Sequence, residues 1–163
     1  MITREEKNMN IALKEALKSY EKYEVPVGVI IVKDDKIIAR AHNTREKTKL
    51  ATDHAELNAI NKACKKLGTW RLDDTEMYVT LEPCLMCAGA ILQSRIKTVY
   101  YGASDLKAGA VESVLKVAEA DFCHKVNYIG GIKNEECKEL LQKFFKEMRA
   151  NKKNDKKLNK SCN

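Results

Sequence analysis

The chain has 163 residues, enough for one domain with a core of ordinary size and too few for a second full one. Hydrophobic residues make up 44% and charged residues 33%, which excludes a disordered or fibrous chain. No apolar run approaches the roughly 20 residues of a membrane span, and the opening MITREEKNMN has no apolar signal-peptide core. Thirty basic against 23 acidic residues give +7, and +5 of this falls between Lys146 and Asn163, so the rest is close to neutral. A basic tail of this kind suits a polyanion such as RNA, although a lysine-rich, solvated helix end has the same composition.

In chain order, Met9, Leu13, Ala16, Leu17 and Tyr20 recur at helical spacing, and Pro26 closes that segment. Val27 to Val32 is apolar on both faces and β-branched, as in a central strand. Lys33 to Lys36 is a turn, and Ile37 to Ala41 returns as a hairpin partner. Asn43 to Ala51 is polar and reads as a loop. A helix is expected from about His54 to Leu67, stopped by Gly68. Glu76 to Leu81 is a second buried strand, and Pro83 opens a helix from Cys84 to about Ser94. Thr98 to Gly102 is a third strand. Helices follow around Val111 to Ala120 and Glu135 to about Lys152, with a last short strand at Lys125 to Ile129. Strands alternating with helices after an opening hairpin describe an α/β layered domain with a mixed sheet.

Six cysteines are present, and without an export signal a disulfide framework is not expected. Cys84 and Cys87 alone have metal-ligand spacing: three apart at a helix start, they share a face, and the helix N-terminus favours thiolates. Two sulfurs make half a tetrahedron. His42, His54 and His124 are candidates for the third ligand, and His54, at a second helix start, has the best context. A His/Cys/Cys set leaves one zinc position for water, the catalytic pattern; a set completed by Cys123 and His124 would be closed and structural.

Glu56 has two readings. With Asp53 as N-cap it forms a capping box. Alternatively it is a general acid/base beside the metal, since residues two apart on a helix diverge by about 200° and Glu56 is a poor co-ligand with His54. The combination of His54-Ala-Glu56 with Pro83-Cys-Leu-Met-Cys87 resembles the known signature of zinc-dependent nucleobase deaminases.

The resemblance extends further. Val25-Pro-Val-Gly-Val-Ile-Ile-Val32, His54 to Ile60, Tyr78 to Ala90, Ser94-Arg-Ile96, Tyr101-Gly-Ala-Ser-Asp105, Lys107-Ala-Gly-Ala110 and Phe144-Phe145 look like the bacterial tRNA-specific adenosine deaminases, over residues 2 to 150. That family converts the wobble adenosine of an anticodon to inosine. The resemblance implies a three-layer, cytidine-deaminase-like α/β fold, its central mixed five-stranded sheet flanked by helices. It implies a zinc-dependent deaminase domain over 1–150 with a basic C-terminal tail over 151–163. It further implies one zinc ion on His54, Cys84 and Cys87, with Glu56 as proton shuttle. Asn43 would contact the flipped base, Asp105 a nearby ribose, and Val27 an apolar pocket wall. A tRNA anticodon stem-loop as substrate, a homodimer and a cytoplasmic location, with no membrane partner, complete the expectation.

Leu50-Ala-Thr-Asp53 stands where the family usually has Asp-Pro-Thr-Ala, and Cys123 where it has asparagine. Two other readings compete: a zinc deaminase of a free base or nucleoside, of guanine or cytosine type, and a catalytically inactive RNA-binding subunit. The second expects Glu56 to be replaced, and it is present.

Overall fold

The computed structural model describes residues 1–161; Cys162 and Asn163, expected at the end of the basic tail, lie outside the described residues. Helix α1 (Arg4–Tyr20) starts with a reciprocal capping box between Thr3 and Glu6. It ends at Tyr20, well before Pro26. The hairpin of β1 (Gly28–Lys33) and β2 (Lys36–His42) turns on Asp34 and Asp35, both with positive φ, the geometry that suits the right-handed twist of paired strands. A short helix α2 (Arg45–Thr48) interrupts the expected loop and stops at Lys49, which is left-handed. Then come α3 (Ala55–Leu67), closed by left-handed Gly68, β3 (Thr75–Leu81), α4 (Leu85–Gln93) and β4 (Thr98–Ala103). The chain finishes with β5 (Asn127–Ile129) and the long α5 (Asn134–Ser161).

The strands form one mixed five-stranded sheet in the order β2-β1-β3-β4-β5. β1 is antiparallel to both neighbours, while β3, β4 and β5 are parallel. Alternation along the central strands sends Val29, Ile31, Met77 and Val79 to one face, where they pack with Ala55, Ala59, Ile60 and Ala63 of α3 and Ile91 of α4. Ile30, Val32 and Tyr78 point the other way, to Met9 and Ala12 of α1 and Cys137 of α5. This is the expected three-layer α/β arrangement. Among the described residues no helix is long and apolar enough to cross a membrane.

The register gathers chemistry at one end of the sheet. Gly28 at the start of β1 pairs with His42 at the end of β2, and Leu81 at the end of β3 pairs with Ala103 at the end of β4. Val27, Asn43, Cys84 and Asp105 therefore leave the sheet on the same side.

One helix is corrected. Residues 111–120 form turns and a single 3₁₀ turn at Val117–Glu119. The backbone N–H groups of Val111, Glu112 and Ser113 donate to the Glu82 carboxylate, and those of Val114, Val117 and Ala118 reach back to Gly109, Ala110 and Val111 instead of to the carbonyl four residues earlier. Val111 is buried but Val114 and Leu115 are exposed, so the apolar spacing there marks no continuous buried stripe. α5, by contrast, passes residue 150 as one helix and outruns the expected end at Lys152.

At Gly28 the backbone of α1 lies close against the sheet: a Cβ there would lie 2.0 Å from the Ala12 carbonyl oxygen and 2.4 Å from the Ala16 nitrogen. Both are backbone atoms of a packed helix and cannot swing aside. Gly28→Ala is expected to destabilise the fold by about 1–3 kcal/mol or more, read from denaturant unfolding against wild type.

Candidate metal and catalytic site

His54 and Cys84 occupy equivalent positions. Each is the N-cap of its helix, α3 and α4, with extended backbone and no side-chain capping bond. Pro83 thus precedes the cap instead of lying in the first turn. Freed from capping, the two side chains turn toward each other across the helix starts, and Cys87, in the first turn of α4, joins them.

His54 Nδ1 lies 3.7 Å from Cys84 Sγ and 3.5 Å from Cys87 Sγ, and all three donor atoms are within 4.8 Å of one another. Zinc–sulfur bonds of about 2.3 Å and zinc–nitrogen bonds of about 2.0–2.1 Å at the tetrahedral angle give an N···S edge of about 3.6 Å. The donor set therefore fits zinc in size and in softness. Among the described residues no other cluster brings three such donors together. The rival histidines are engaged elsewhere: His42 Nδ1 faces Glu15 Oε2 at 3.2 Å, and His124 Nε2 meets the Ile96 carbonyl at 2.9 Å. Cys123 is exposed.

The donors perturb one another. The Cys87 thiol, followed by His54, holds Cys84 down at about 4 against the opposing effect of burial. Cys87 is pushed upward by its bond to the Cys84 sulfur and by burial. His54 is raised, chiefly by the Cys84 thiolate. A bound dication would ionise both thiols.

Glu56 is not part of a capping box, because His54 rather than Asp53 is the N-cap. Its side chain is buried, 4% exposed, and lines a cavity of about 140 Å³ together with His54 and Cys84. Burial pushes its carboxyl up to about 7, with the Cys84 charge adding to the effect. A carboxyl poised near neutrality beside a metal set suits proton transfer.

Val27, Asn43 and Asp105 line the same cavity. Val27 and Asn43 are both 8% exposed. Asn43 is locked by its own amide, donating to the Val25 carbonyl at 3.2 Å and accepting from the Arg45 N–H at 3.2 Å. Asp105 Oδ1 accepts the N–H groups of Lys107 and Ala108 at 3.0 and 3.1 Å, an Asx turn. Asp105 Oδ2 has no partner among the described residues.

Sequence reasoning missed two buried acids that shape the rim. Glu24, 2% exposed, accepts the N–H groups of Glu46 and Lys47 at 2.9 and 2.6 Å and so holds the start of α2 beside Asn43. Glu82, also 2% exposed, anchors the segment after Asp105. Neither has a spacing signature; only a glutamate abutting a strand end and Pro83 hints at the second. The unusual Leu50–Asp53 stretch is a turn closed by Asp53 N–H to Leu50 O at 3.1 Å and His54 N–H to Thr52 O at 2.8 Å. Asn58 Nδ2 of α3 donates to the turn at Asp53 O, 3.5 Å away, and to His42 O at 3.2 Å and Thr44 Oγ1 at 3.1 Å, at and just beyond the end of β2.

The MafB19-like deaminase family matches residues 3–157. A tRNA-specific adenosine deaminase of Bacillus subtilis is 46% identical over 153 residues, which cover 93% of this chain and 95% of that protein. The chain belongs to the tRNA-specific adenosine deaminase family. A solved structure from work on A-to-I editing by tRNA:A34 deaminases at the wobble position of transfer RNA superposes with a TM-score of 0.80 and 43% identity. It covers 83% of this chain and 99% of its own. A guanine deaminase of Bacillus subtilis is similar at a TM-score of 0.60 and 32% identity, over 74% of this chain and 88% of that one. The His/Cys/Cys geometry agrees with this family membership.

Proposed function

We propose that the chain hydrolytically deaminates adenosine to inosine at the wobble position of a tRNA anticodon loop. The observation that carries the reading is the juxtaposition of a buried glutamate with a His/Cys/Cys donor set in one small cavity that opens beside a groove. That groove, of about 550 Å³, shares Val25, Leu81, Asp105 and Ala108 with the cavity and continues to Lys107, Lys138, Phe145 and Arg149. Cations and an exposed aromatic ring are the means by which proteins hold single-stranded RNA. A free base would need only the cavity.

His54, Cys84 and Cys87 would hold zinc, which supplies a Lewis acid that brings water near ionisation at neutral pH. Glu56 takes one proton of the attacking water and delivers it to N1 of adenine, then takes the second from the new C6 hydroxyl and passes it to the amino group. The oxygen enters at C6 and ammonia leaves. Asn43 holds the edge of the flipped base against Val27, and Asp105 accepts from a ribose hydroxyl. An anticodon loop offers such a splayed base at low unstacking cost. A catalytic domain over 1–150 with a basic extension over 151–163, a homodimer and a cytoplasmic location belong to the same reading and rest on the family resemblance.

The test is incubation with total tRNA followed by sequencing for adenosine read as guanosine, with free guanine and cytidine as parallel substrates. Turnover of a free base without tRNA editing would replace the proposal by the free-base reading.

The extension makes a separate prediction. Truncation after Asn151 removes five lysines and one aspartate. It is expected to weaken binding of an anticodon stem-loop and to lower the log–log salt slope by roughly 0.7–0.9 for each phosphate that is no longer neutralised. Asp105→Ala is expected to slow turnover with an unchanged slope, because a bond to a ribose hydroxyl releases no counterion. Titrations at several salt concentrations on both variants check this. An unchanged slope in the truncated protein would reduce the extension to a solvated helix end.

A further inference from the structure

Glu82 is a buried carboxylate that the proposed reaction does not use, and none of the ion pairs among the described residues includes it. Its charge is solvated by the chain itself. Oε1 accepts the N–H groups of Val111, Glu112 and Ser113 at 3.2, 2.9 and 3.0 Å. Oε2 accepts the Asp105 N–H at 2.9 Å and the Ser113 hydroxyl. Five donors on one carboxylate are charge-assisted bonds, about twice as strong as neutral ones. They replace a helix or strand ladder in a segment that has neither, and they grip it at both ends. Gly109 packs between them: a Cβ there would sit 2.3 Å from Glu82 Oε2. The same glycine bridges to Cys84. The segment so fastened carries Asp105 and Ala108, one wall of the cavity.

We infer that Glu82 is a positioning residue for substrate: its carboxylate clips residues 105–113 into the shape in which Asp105 meets the target nucleotide. The inference rests on the proposed function for the role of Asp105, but the clip itself does not. Glu82→Gln keeps the volume, replaces one acceptor oxygen by a donor, and turns that side of the clip against its N–H partners. Turnover of an anticodon stem-loop should fall about 10- to 100-fold, the scale on which a misplacement near 1 Å acts. Zinc content should stay at the wild-type level.

The deciding experiment is a double-mutant cycle with Asp105→Ala, paired with hydrogen exchange on the zinc-loaded protein. If Glu82 acts through Asp105, Glu82→Gln added to Asp105→Ala costs no more than about twofold further in kcat/KM. In exchange, the amides of Asp105 and 111–113 should open at least about tenfold faster, with those of α3 and α4 unchanged. Gly109→Ala disturbs the clip from the loop side without altering the carboxylate. It should repeat both results, and it carries the test if Glu82→Gln does not fold. Penalties that multiply, loop amides that exchange at the wild-type rate, or loss of zinc would overturn the inference. Absence of tRNA editing by the wild type would remove the functional reading while exchange still decided on the clip.

Discussion

Glu56→Ala is expected to keep its zinc and its fold and to lose deamination by roughly 10²- to 10⁴-fold or more, the scale of removing a general acid/base that serves several steps. The fold should survive for a local reason. Glu56 is not the N-cap of α3; that position belongs to His54, and no Thr3–Glu6-type reciprocal box depends on Glu56. Alanine is the best helix former, so helix propensity in the first turn does not fall. The cavity side of the residue faces a hole rather than a core, so truncation opens little new void. Zinc should remain because its three candidate donors are untouched. Measuring metal content and stem-loop turnover on the same preparation separates the roles. Near-normal turnover in a zinc-loaded variant would return Glu56 to a structural part.

Cys87→Ala is expected to abolish stoichiometric zinc, while Cys123→Ala retains one ion per chain. Cys87 is wholly buried in the first turn of α4, with its sulfur 3.5 Å from His54 Nδ1, whereas Cys123 is exposed on the loop before β5. Loss of a ligand should exceed the roughly 10- to 100-fold in affinity that loss of an outer hydrogen-bond partner costs. Metal analysis after dialysis gives the answer directly. Zinc kept by Cys87→Ala and lost from Cys123→Ala would invalidate the donor set and revive a closed site near His124.

Much of the sheet was legible because β1, β3 and β4 are buried on both faces, so their composition is continuous and β-branched or aromatic. The donor set was legible because Cys-x-x-Cys at a helix start leaves few geometries open. Asn43 and Asp105 came only from the resemblance, since taken alone each reads as a turn residue. Asp105 does make an Asx turn, and its second oxygen is what distinguishes it. The 111–120 helix misled because its apolar residues do not share one buried face, and its amides bond to Glu82, thirty residues upstream in the case of Glu112, and to Gly109, Ala110 and Val111 in wide turns. Glu24 carried no signal, and Glu82 only its place between a strand end and Pro83: a single buried acid has no period, and its partners are backbone groups of any sequence.

The two helix starts whose N-cap side chains face the metal site carry a consequence for stability. Serine, threonine, aspartate or asparagine at an N-cap is worth about 0.5–2 kcal/mol, and α3 and α4 both forgo it by placing His54 and Cys84 there. The metal-free polypeptide is accordingly less stable than its architecture permits, and the deficit sits at the junction of two core helices rather than in a dispensable loop. Ligand binding to the native state alone raises stability with the logarithm of free ion over Kd. A dication held by His54, Cys84 and Cys87 would offset that deficit, so the metal-loaded chain is expected to unfold at a higher denaturant concentration than the metal-free one.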